Sequence, residues 1–321
     1  MKWRLNEGQR ILVYGDINKL ERMMDSHFLD QLRAIGDDIT QTPKTIDQLN
    51  EYIRRGEHTH LLIPDENFHV LEGSLNGCSI PVIELLLDHW VPWVVNKKRK
   101  YIDENGIEHV IVFTGRFLQP YEGVAKFYPV LCGFDAQTFT DRKEERNIDI
   151  LIHGSLGEDT SRNVYPVRNF LAKILPWIGE KEGLKVVRLK HPGYFPEGKT
   201  TTSFKDEYSS MLNRAKIAIG GSSRWGLSLK KFYEVPASGA ILLTDLPVDD
   251  QDFFKGRVIE VNPRRIRSPN YRDELRREIM NTLENYDASK ERLQPFRTRK
   301  DRTSRSYEGR ALEIKAALAT I

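Results

Sequence analysis

The chain has 321 residues, enough for two domains of ordinary size, and its 39% hydrophobic and 30% charged residues are the balance of a chain that buries real cores. A formal net charge of +3 excludes a molecule that is a polyelectrolyte partner of DNA as a whole, and no apolar run reaches the roughly 20 residues that a membrane span needs. Two cysteines, Cys78 and Cys132, are too few to staple a fold of this size, and no Cys/His spacing suggests zinc, so no metal is expected and a reducing, cytoplasmic setting is.

The first residues turn charged at once and contain no apolar signal core, so an export leader is not expected. Arg10–Asp16 reads as a buried first strand. Lys19–Ile35 carries helical spacing in Leu20, Met23, Met24, Phe28, Leu29 and Leu32. Ile46–Arg54 is a second helix, with Thr45 placed to cap it. Thr59–Ile63 is a strand stopped by Pro64-Asp65, and Pro81–Leu87 is a third strand ending at Asp88-His89-Trp90. Asn96–Glu108 is polar and turn-rich, and Val110–Thr114 is a further strand. After Phe139 a charged run from Thr140 to Asn147 shifts the composition and marks a linker.

The pattern then restarts. Strands are predicted at Ile148–His153, Leu184–Leu189, Lys216–Ile219, Ala240–Asp245 and Val258–Val261. Helices are predicted at Tyr165–Ile178, Phe204–Ala215, Leu229–Ser238 (closed by Gly239), Tyr271–Tyr286 and Ser306–Leu318. Alternating strands and helices argue for parallel sheets joined by right-handed crossovers. The expected fold class is therefore α/β, with two doubly wound, Rossmann-like domains facing a central cleft. Ligands in such domains bind at the carboxyl ends of the strands. The expected division is an N-terminal domain over 1–139, a linker over 140–147, a C-terminal domain over 148–304 and a last helix over 305–321.

Three segments carry candidate chemistry. His153-Gly154-Ser155-Leu156-Gly157 follows a strand, and its small residues let backbone amides approach an anion, although it is equally a plain tight turn. Lys190-His191-Pro192-Gly193-Tyr194 also follows a strand and offers His191 and Tyr194 to a base, or is a turn forced by Pro-Gly. The third, Gly220 to Gly239, gathers Ser222, Ser223, Lys230 and Lys231 around one helix start, with Glu234 a turn further on. Hydroxyls, amides and cations suit a pyrophosphate, and a carboxylate can accept two hydrogen bonds from a ribose. The alternatives are a solvated face for Lys230-Lys231 and an ion-pair partner of Lys230 for Glu234.

The second half resembles the glycosyl-transferase domain of the CgeB-like (spore-maturation protein) group, within the wider GT-B glycosyltransferases. The matching stretches are Asp149–Leu171, Lys190–Tyr194, Ser228–Asp245 and Ser306–Leu318, and the pattern Tyr233-Glu234, Gly239-Ala240, Asp245 is the most specific. The resemblance implies Glu234 for the donor ribose, and Lys230, Lys231, Ser222 and Ser223 for the diphosphate. It implies Gly239 for close passage near the donor. The resemblance further implies that 1–139 is the acceptor-side domain, that 148–304 binds the nucleotide sugar, that the last helix returns to the N-terminal domain, and that the donor is a nucleotide-diphosphate sugar, UDP-sugar foremost. The fuller GT-B pattern has a second glutamate eight residues earlier, where this chain has Gly226.

Sugar transfer needs a deprotonated acceptor, a stabilised oxocarbenium-like centre and a neutralised leaving diphosphate. Lys230 or Lys231 is expected in the last role, without a metal. Asp88-His89 is the candidate general base, with Asp16 in reserve; Asp88 as a cap and His89 as a core residue are the alternative. Acceptors are a glycan, a protein or a small molecule. Modified DNA is a minority candidate, suggested by the basic stretch Arg257–Arg310 and by Lys97-Lys98-Arg99-Lys100 beside Trp90 and Trp93. The basic stretch reads first as a solvated helix. A sugar-nucleotide epimerase and a non-catalytic nucleotide-sugar-binding protein are the competing classes.

Overall fold

Ile11–Tyr14 (β1) is four apolar residues without a polar interruption, the pattern of a parallel strand covered on both faces. In the computed structural model, which describes residues 9–19, 32–33, 35–87, 89, 91–92, 94–156, 163–190 and 201–321 (the backbone alone at 66 and 201–204), β1 lies inside a wholly parallel sheet. That sheet also contains Asp38–Thr40 (β2), His60–Ile63 (β3), Val82–Leu86 (β4), His109–Val112 (β5) and Lys126–Pro129 (β6), in the order β2-β1-β3-β4-β5-β6. Leu12 pairs with Asp38 on one side and Leu61 on the other. Alternate side chains feed opposite faces: Ile11 and Val13 enter one core cluster, Leu12 and Tyr14 the other.

A second parallel sheet has Ile148–Ile152 (β7), Val186–Arg188 (β8), Ala215–Ile219 (β9), Ile241–Thr244 (β10) and Ile259–Glu260 (β11) in the order β11-β10-β9-β7-β8. Its strand order reverses between β7 and β9, the switch point at which loops leave in opposite directions and ligands of such sheets bind. Ile150 and Ile152 face one core, Ile148 and Leu151 the other.

The chain divides into two compact units, Met1–Gly133 with Tyr307–Ile321, and Phe134–Ser306. The helix Tyr307–Leu318 places Ala311, Ile314 and Leu318 in the cluster that holds Ile11 and Val13. The charged run expected to be a linker is anchored on the second unit. Arg146 donates to the carbonyls of Leu212 and Ala215 from one nitrogen, and to Asp141 (3.2 Å) and the Ser238 carbonyl (2.8 Å) from another.

Other differences from the sequence reading have clear causes. The helix Ile46–Arg55 (α1) starts at Thr45, whose hydroxyl accepts from the Gln48 amide, as expected. The segment read as turn-rich instead forms the helix Val95–Glu104 (α2). Its buried positions are Lys98 and Ile102, so a charge occupies half of the stripe that an apolar pattern would reveal. Lys98 is paired with the buried Asp65 at 2.5 Å. The short edge strands β2 and β6 are not among the predicted strands: β2 has one apolar residue, Ile39, between Asp38 and Thr40, and β6 contains Pro129, which argues against a strand. Most of the helix expected at 19–35 lies outside the described residues.

The basic stretch holds β11 and then four helices, Tyr271–Glu284, Tyr286–Arg292, Arg299–Arg305 and Tyr307–Leu318, rather than one solvated helix. Much of its charge is tied into the fold: Arg276 to Glu182 at 2.6 Å, Lys290 to Asp141 at 3.2 Å, Arg305 to Asp250 at 3.0 Å. Arg302 donates to the carbonyls of Ala136 and Phe139, both at 2.7 Å. The four-residue run in α2 is divided too, since Lys98 is buried and Arg99 donates to the Pro120 carbonyl; Trp90 and Trp93 lie outside the described residues. Among the described residues no helix is long and apolar enough to cross a membrane.

Candidate functional site

At the switch point of the second sheet, β7 runs into His153-Gly154-Ser155 and β9 into Gly220-Gly221-Ser222. A single residue joins these two loops. Arg168, on the helix Pro166–Glu182 (α3), donates to the Ser155 carbonyl at 3.0 Å and to the Gly221 carbonyl at 3.2 Å. It is 2% exposed, its Nε finds no partner among the described residues, and its guanidinium lies 4.2 Å from the Tyr165 ring centre. Burial pulls its pKa down, and Tyr165, Tyr208, Asp245 and Glu234 oppose that pull. An arginine stays charged at this depth, so the switch point carries a buried positive charge whose guanidinium bonds go to carbonyl oxygens.

A second cation borders the same space. The helix Lys231–Ala237 (α5) begins at Lys231, and Lys230 flanks it. A β-carbon on Gly154 would lie 2.6 Å from Lys231 Cε and 3.2 Å from Arg168 Nη1, so Gly154 lies against both cations. Three residues on, Glu234 is 3% exposed and accepts a hydrogen bond from the Tyr208 hydroxyl at 3.2 Å. Tyr208 belongs to the helix Thr201–Arg214 (α4); the Lys231 ammonium lies 5.0 Å from its ring centre, and the His153 ring packs 5.0 Å away. Burial holds His153 well below the ordinary imidazole range, helped by the charges of Lys231 and Arg168, so it is neutral.

Of the two serines expected to hold the diphosphate, Ser222 gives its donors to a side chain of the fold. Ser222 gives its N–H to Asp245 Oδ1 at 2.8 Å and its hydroxyl to Asp245 Oδ2. Burial raises the Asp245 pKa, and the bonds from Ser222 resist the rise. Ser223 accepts from the Trp225 amide at 3.3 Å, while the amides of Arg224 and Gly226 go to Val164 and Ser223 carbonyls. Both Ser222 donors are therefore given to Asp245, whereas Ser223 is the acceptor in its bonds with Trp225 and Gly226. Tyr233 is likewise structural, its hydroxyl donating to Asp250 at 3.1 Å.

Two expected site residues are placed elsewhere by the structure. Gly239 precedes β10, at the amino end of the strand and so across the sheet from Asp245. A β-carbon there would meet Asp141 at 2.4 Å and Arg146 at 2.5 Å, so its close approach is to this ion pair, not to a donor. His89 is wholly buried in the first unit, its Nε2–H donating to the Arg116 carbonyl at 3.0 Å and its ring packed edge-on to Tyr121. Burial first, with the charge of Lys98, lowers its pKa to about 4. A neutral, enclosed imidazole with its proton bonded to a carbonyl is no base for an acceptor. Asp16 accepts the Lys19 amide at 2.9 Å, a turn-starting role. Asp88, Gly157, His191, Gly193 and Tyr194 lie outside the described residues.

Arg168 and Tyr208 are the residues of this site that sequence reading passed over. Both sit on helices where periodicity marks them as ordinary face positions. Only the fold brings them to the ends of β7 and β9.

No protein-family model and no curated protein sequence matches the chain. Solved structures do resemble it. Sucrose-phosphate synthase of Thermosynechococcus elongatus shares 9% identity over 97% of this chain and 98% of that one, with a TM-score of 0.59. HepE of Anabaena, solved in complex with UDP and glucose, shares 10% over 98% of this chain and 100% of that one, with a TM-score of 0.58. WaaG, a glycosyltransferase involved in lipopolysaccharide biosynthesis, shares 8% over 95% and 99%, with a TM-score of 0.54. These neighbours are GT-B glycosyltransferases, and the fold of this chain is the α/β fold of that class.

Proposed function

We propose that the chain is a glycosyltransferase that moves a sugar from a nucleotide diphosphate to a hydroxyl on a glycan, protein or small molecule. One observation carries this reading. Arg168 and Lys231 border the same space at Gly154, at the switch point, with Glu234 three residues beyond Lys231. A diphosphate next to a ribose is a ligand with that sequence of charges. Lys231, with Lys230 beside it, neutralises the leaving diphosphate. Arg168 supplies fixed charge beneath the loops, and Glu234 accepts from the ribose hydroxyls. UDP-sugar is the first donor to test, because HepE, of like fold, was solved with UDP and glucose.

With two cations assigned to the leaving group, the transfer is proposed to run without a metal; activity unchanged by a chelator is the expected result. The resemblance of Asp149–Leu171 and Ser228–Asp245 to the CgeB-like group supports assigning the chain to it in this proposal, and the reducing setting is taken as the cytoplasm. No protein base is assigned, His89 being enclosed.

One observation favours a second reading, a nucleotide-sugar-binding protein without turnover. Position 226 holds a glycine at φ 76°, a conformation a glutamate rarely adopts, so the loop is not shaped for the missing carboxylate.

The test is a panel of nucleotide sugars assayed by thermal shift and by nucleotide release, on the wild type and Glu234→Ala. Stabilisation by one donor with slow nucleotide release, both lost in the variant, is expected. Stabilisation without release or transfer selects the binding protein. No stabilisation by any nucleotide or nucleotide sugar overturns both readings.

A further inference from the structure

We infer that Tyr208 is a positioning residue that sets the ribose and diphosphate subsites together, one through its hydroxyl and the other through its ring. The inference rests on the donor site proposed above and adds to it the residue that makes it selective for ribonucleoside diphosphates.

Tyr208 is 5% exposed and comes from α4, a different element from the helix it serves. Its hydroxyl donates to Glu234 Oε2 at 3.2 Å. This bond ties down one carboxylate oxygen, so the side chain cannot rotate freely about its last torsion. The ring face lies 5.0 Å from the Lys231 ammonium, within the range in which a cation is attracted to an aromatic face. The ring is itself held, packed against His153 at 5.0 Å and Phe139 at 5.5 Å between ring centres. Lys231 and Glu234 are three apart on α5 and lie on one side of it. Tyr208 therefore fixes the two ends of a rigid gauge, an ammonium for phosphate oxygens and a carboxylate for sugar hydroxyls. A long lysine and a long glutamate lose much rotamer freedom on binding, and prior ordering by a third residue reduces that cost.

The two contacts separate chemically. Tyr208→Phe keeps the ring and removes the hydroxyl. Tyr208→Leu removes both. Titrations of UDP, 2′-deoxy-UDP and UMP against each form read the two subsites apart. In the wild type, UDP is expected to bind more tightly than either analogue. In Tyr208→Phe the preference for UDP over 2′-deoxy-UDP should shrink by roughly fivefold, with the preference for UDP over UMP retained. In Tyr208→Leu both preferences should shrink. Glu234→Gln should lose the ribose preference alone, and adding Tyr208→Phe to it should cost little more, because the two act on one contact.

A Tyr208→Phe protein that keeps the wild-type ribose preference overturns the inference while leaving the donor site standing. So does a double variant whose loss is the product of the single losses. A merely structural role for Tyr208 would weaken all three ligands by one factor and leave both ratios unchanged, which the same titrations detect even if Tyr208→Leu folds poorly. A wild type that binds none of the three ligands overturns the donor site itself, and this inference with it.

Discussion

Gly154 and Lys231 are in contact: a β-carbon on the glycine would sit 2.6 Å from Lys231 Cε, closer than such atoms approach in folded proteins. The glycine also has φ 84°, in the left-handed region. Gly154→Ala should therefore push Lys231 off its position over the Tyr208 ring while straining the backbone by about 1–2 kcal/mol. Loss of about tenfold in UDP affinity with only a few degrees' fall in melting temperature is expected. Calorimetric titration beside a melting curve checks it, and unaltered affinity would remove Lys231 from the proposed diphosphate subsite.

His89 supplies a pH dependence whose sign follows from its burial. Its folded pKa of about 4 lies below the ordinary 6.5. As pH falls below 6.5 the unfolded chain takes up a proton that the folded chain refuses. Stability contributed by the neutral imidazole is thus whole above 6.5 and is lost as pH falls toward 4, up to about 3 kcal/mol. His89→Gln should flatten this slope. Denaturant unfolding of both proteins at pH 7, 5.5 and 4.5 tests it, and parallel slopes would contradict the assignment. Transfer activity of His89→Gln near neutral pH should keep the wild-type profile.

Ile314 is fully buried and packs in the cluster with Ile11, Val13 and Leu62. Ile314→Ala should cost about 2–4 kcal/mol, the usual loss for a large aliphatic side chain in a packed core. Lys315→Ala, one position round the same helix, should change stability by less than about 0.5 kcal/mol. Equilibrium unfolding of both variants is the check. Equal small effects would mean that the last helix contributes no core to the first unit.

The strands were legible because a parallel sheet covered on both faces demands predominantly apolar runs: β1 is apolar throughout, β10 up to Thr244, and β3, β4, β7 and β9 each carry one polar residue, His60, Glu84, Asp149 and Lys216, among aliphatic ones. The helix α2 was not, because its buried face includes Lys98, which belongs to the core only through Asp65 some thirty residues away. The site divides in the same way. Lys231 and Glu234 stand out in the chain because the residues beside them form a motif. Arg168 and Tyr208 have no local signature, since their roles depend on carbonyls and carboxylates supplied by other elements. Gly239 misled for the converse reason: a glycine at a helix end before a strand marks a close approach without saying to what, and here it is Asp141 and Arg146.

Asp245 and Ser222 give the sharpest test of how the loop after β9 is held. Burial raises the Asp245 pKa, so the group's contribution is fully present below the unfolded carboxyl value near 3.9 and falls as pH rises through the higher folded value. Ionised Asp245 is therefore costly at neutral pH and is offset by the two bonds from Ser222. Asparagine keeps one oxygen for the Ser222 amide, and the Ser222 hydroxyl has a second acceptor in the Ser223 carbonyl at 3.2 Å. Asp245→Asn should thus lie within about 1 kcal/mol of wild type at pH 7, and its UDP affinity should hold within about threefold. Asp245→Ala leaves the buried Ser222 N–H without its acceptor and should cost about 1–3 kcal/mol. It should also weaken UDP, because the loop loses the tether that shapes it. Unfolding and titration of the two variants side by side decide the matter. If alanine is tolerated as well as asparagine, the loop takes its shape from Arg168 and its own amides, and Asp245 is free to be assigned to the ligand.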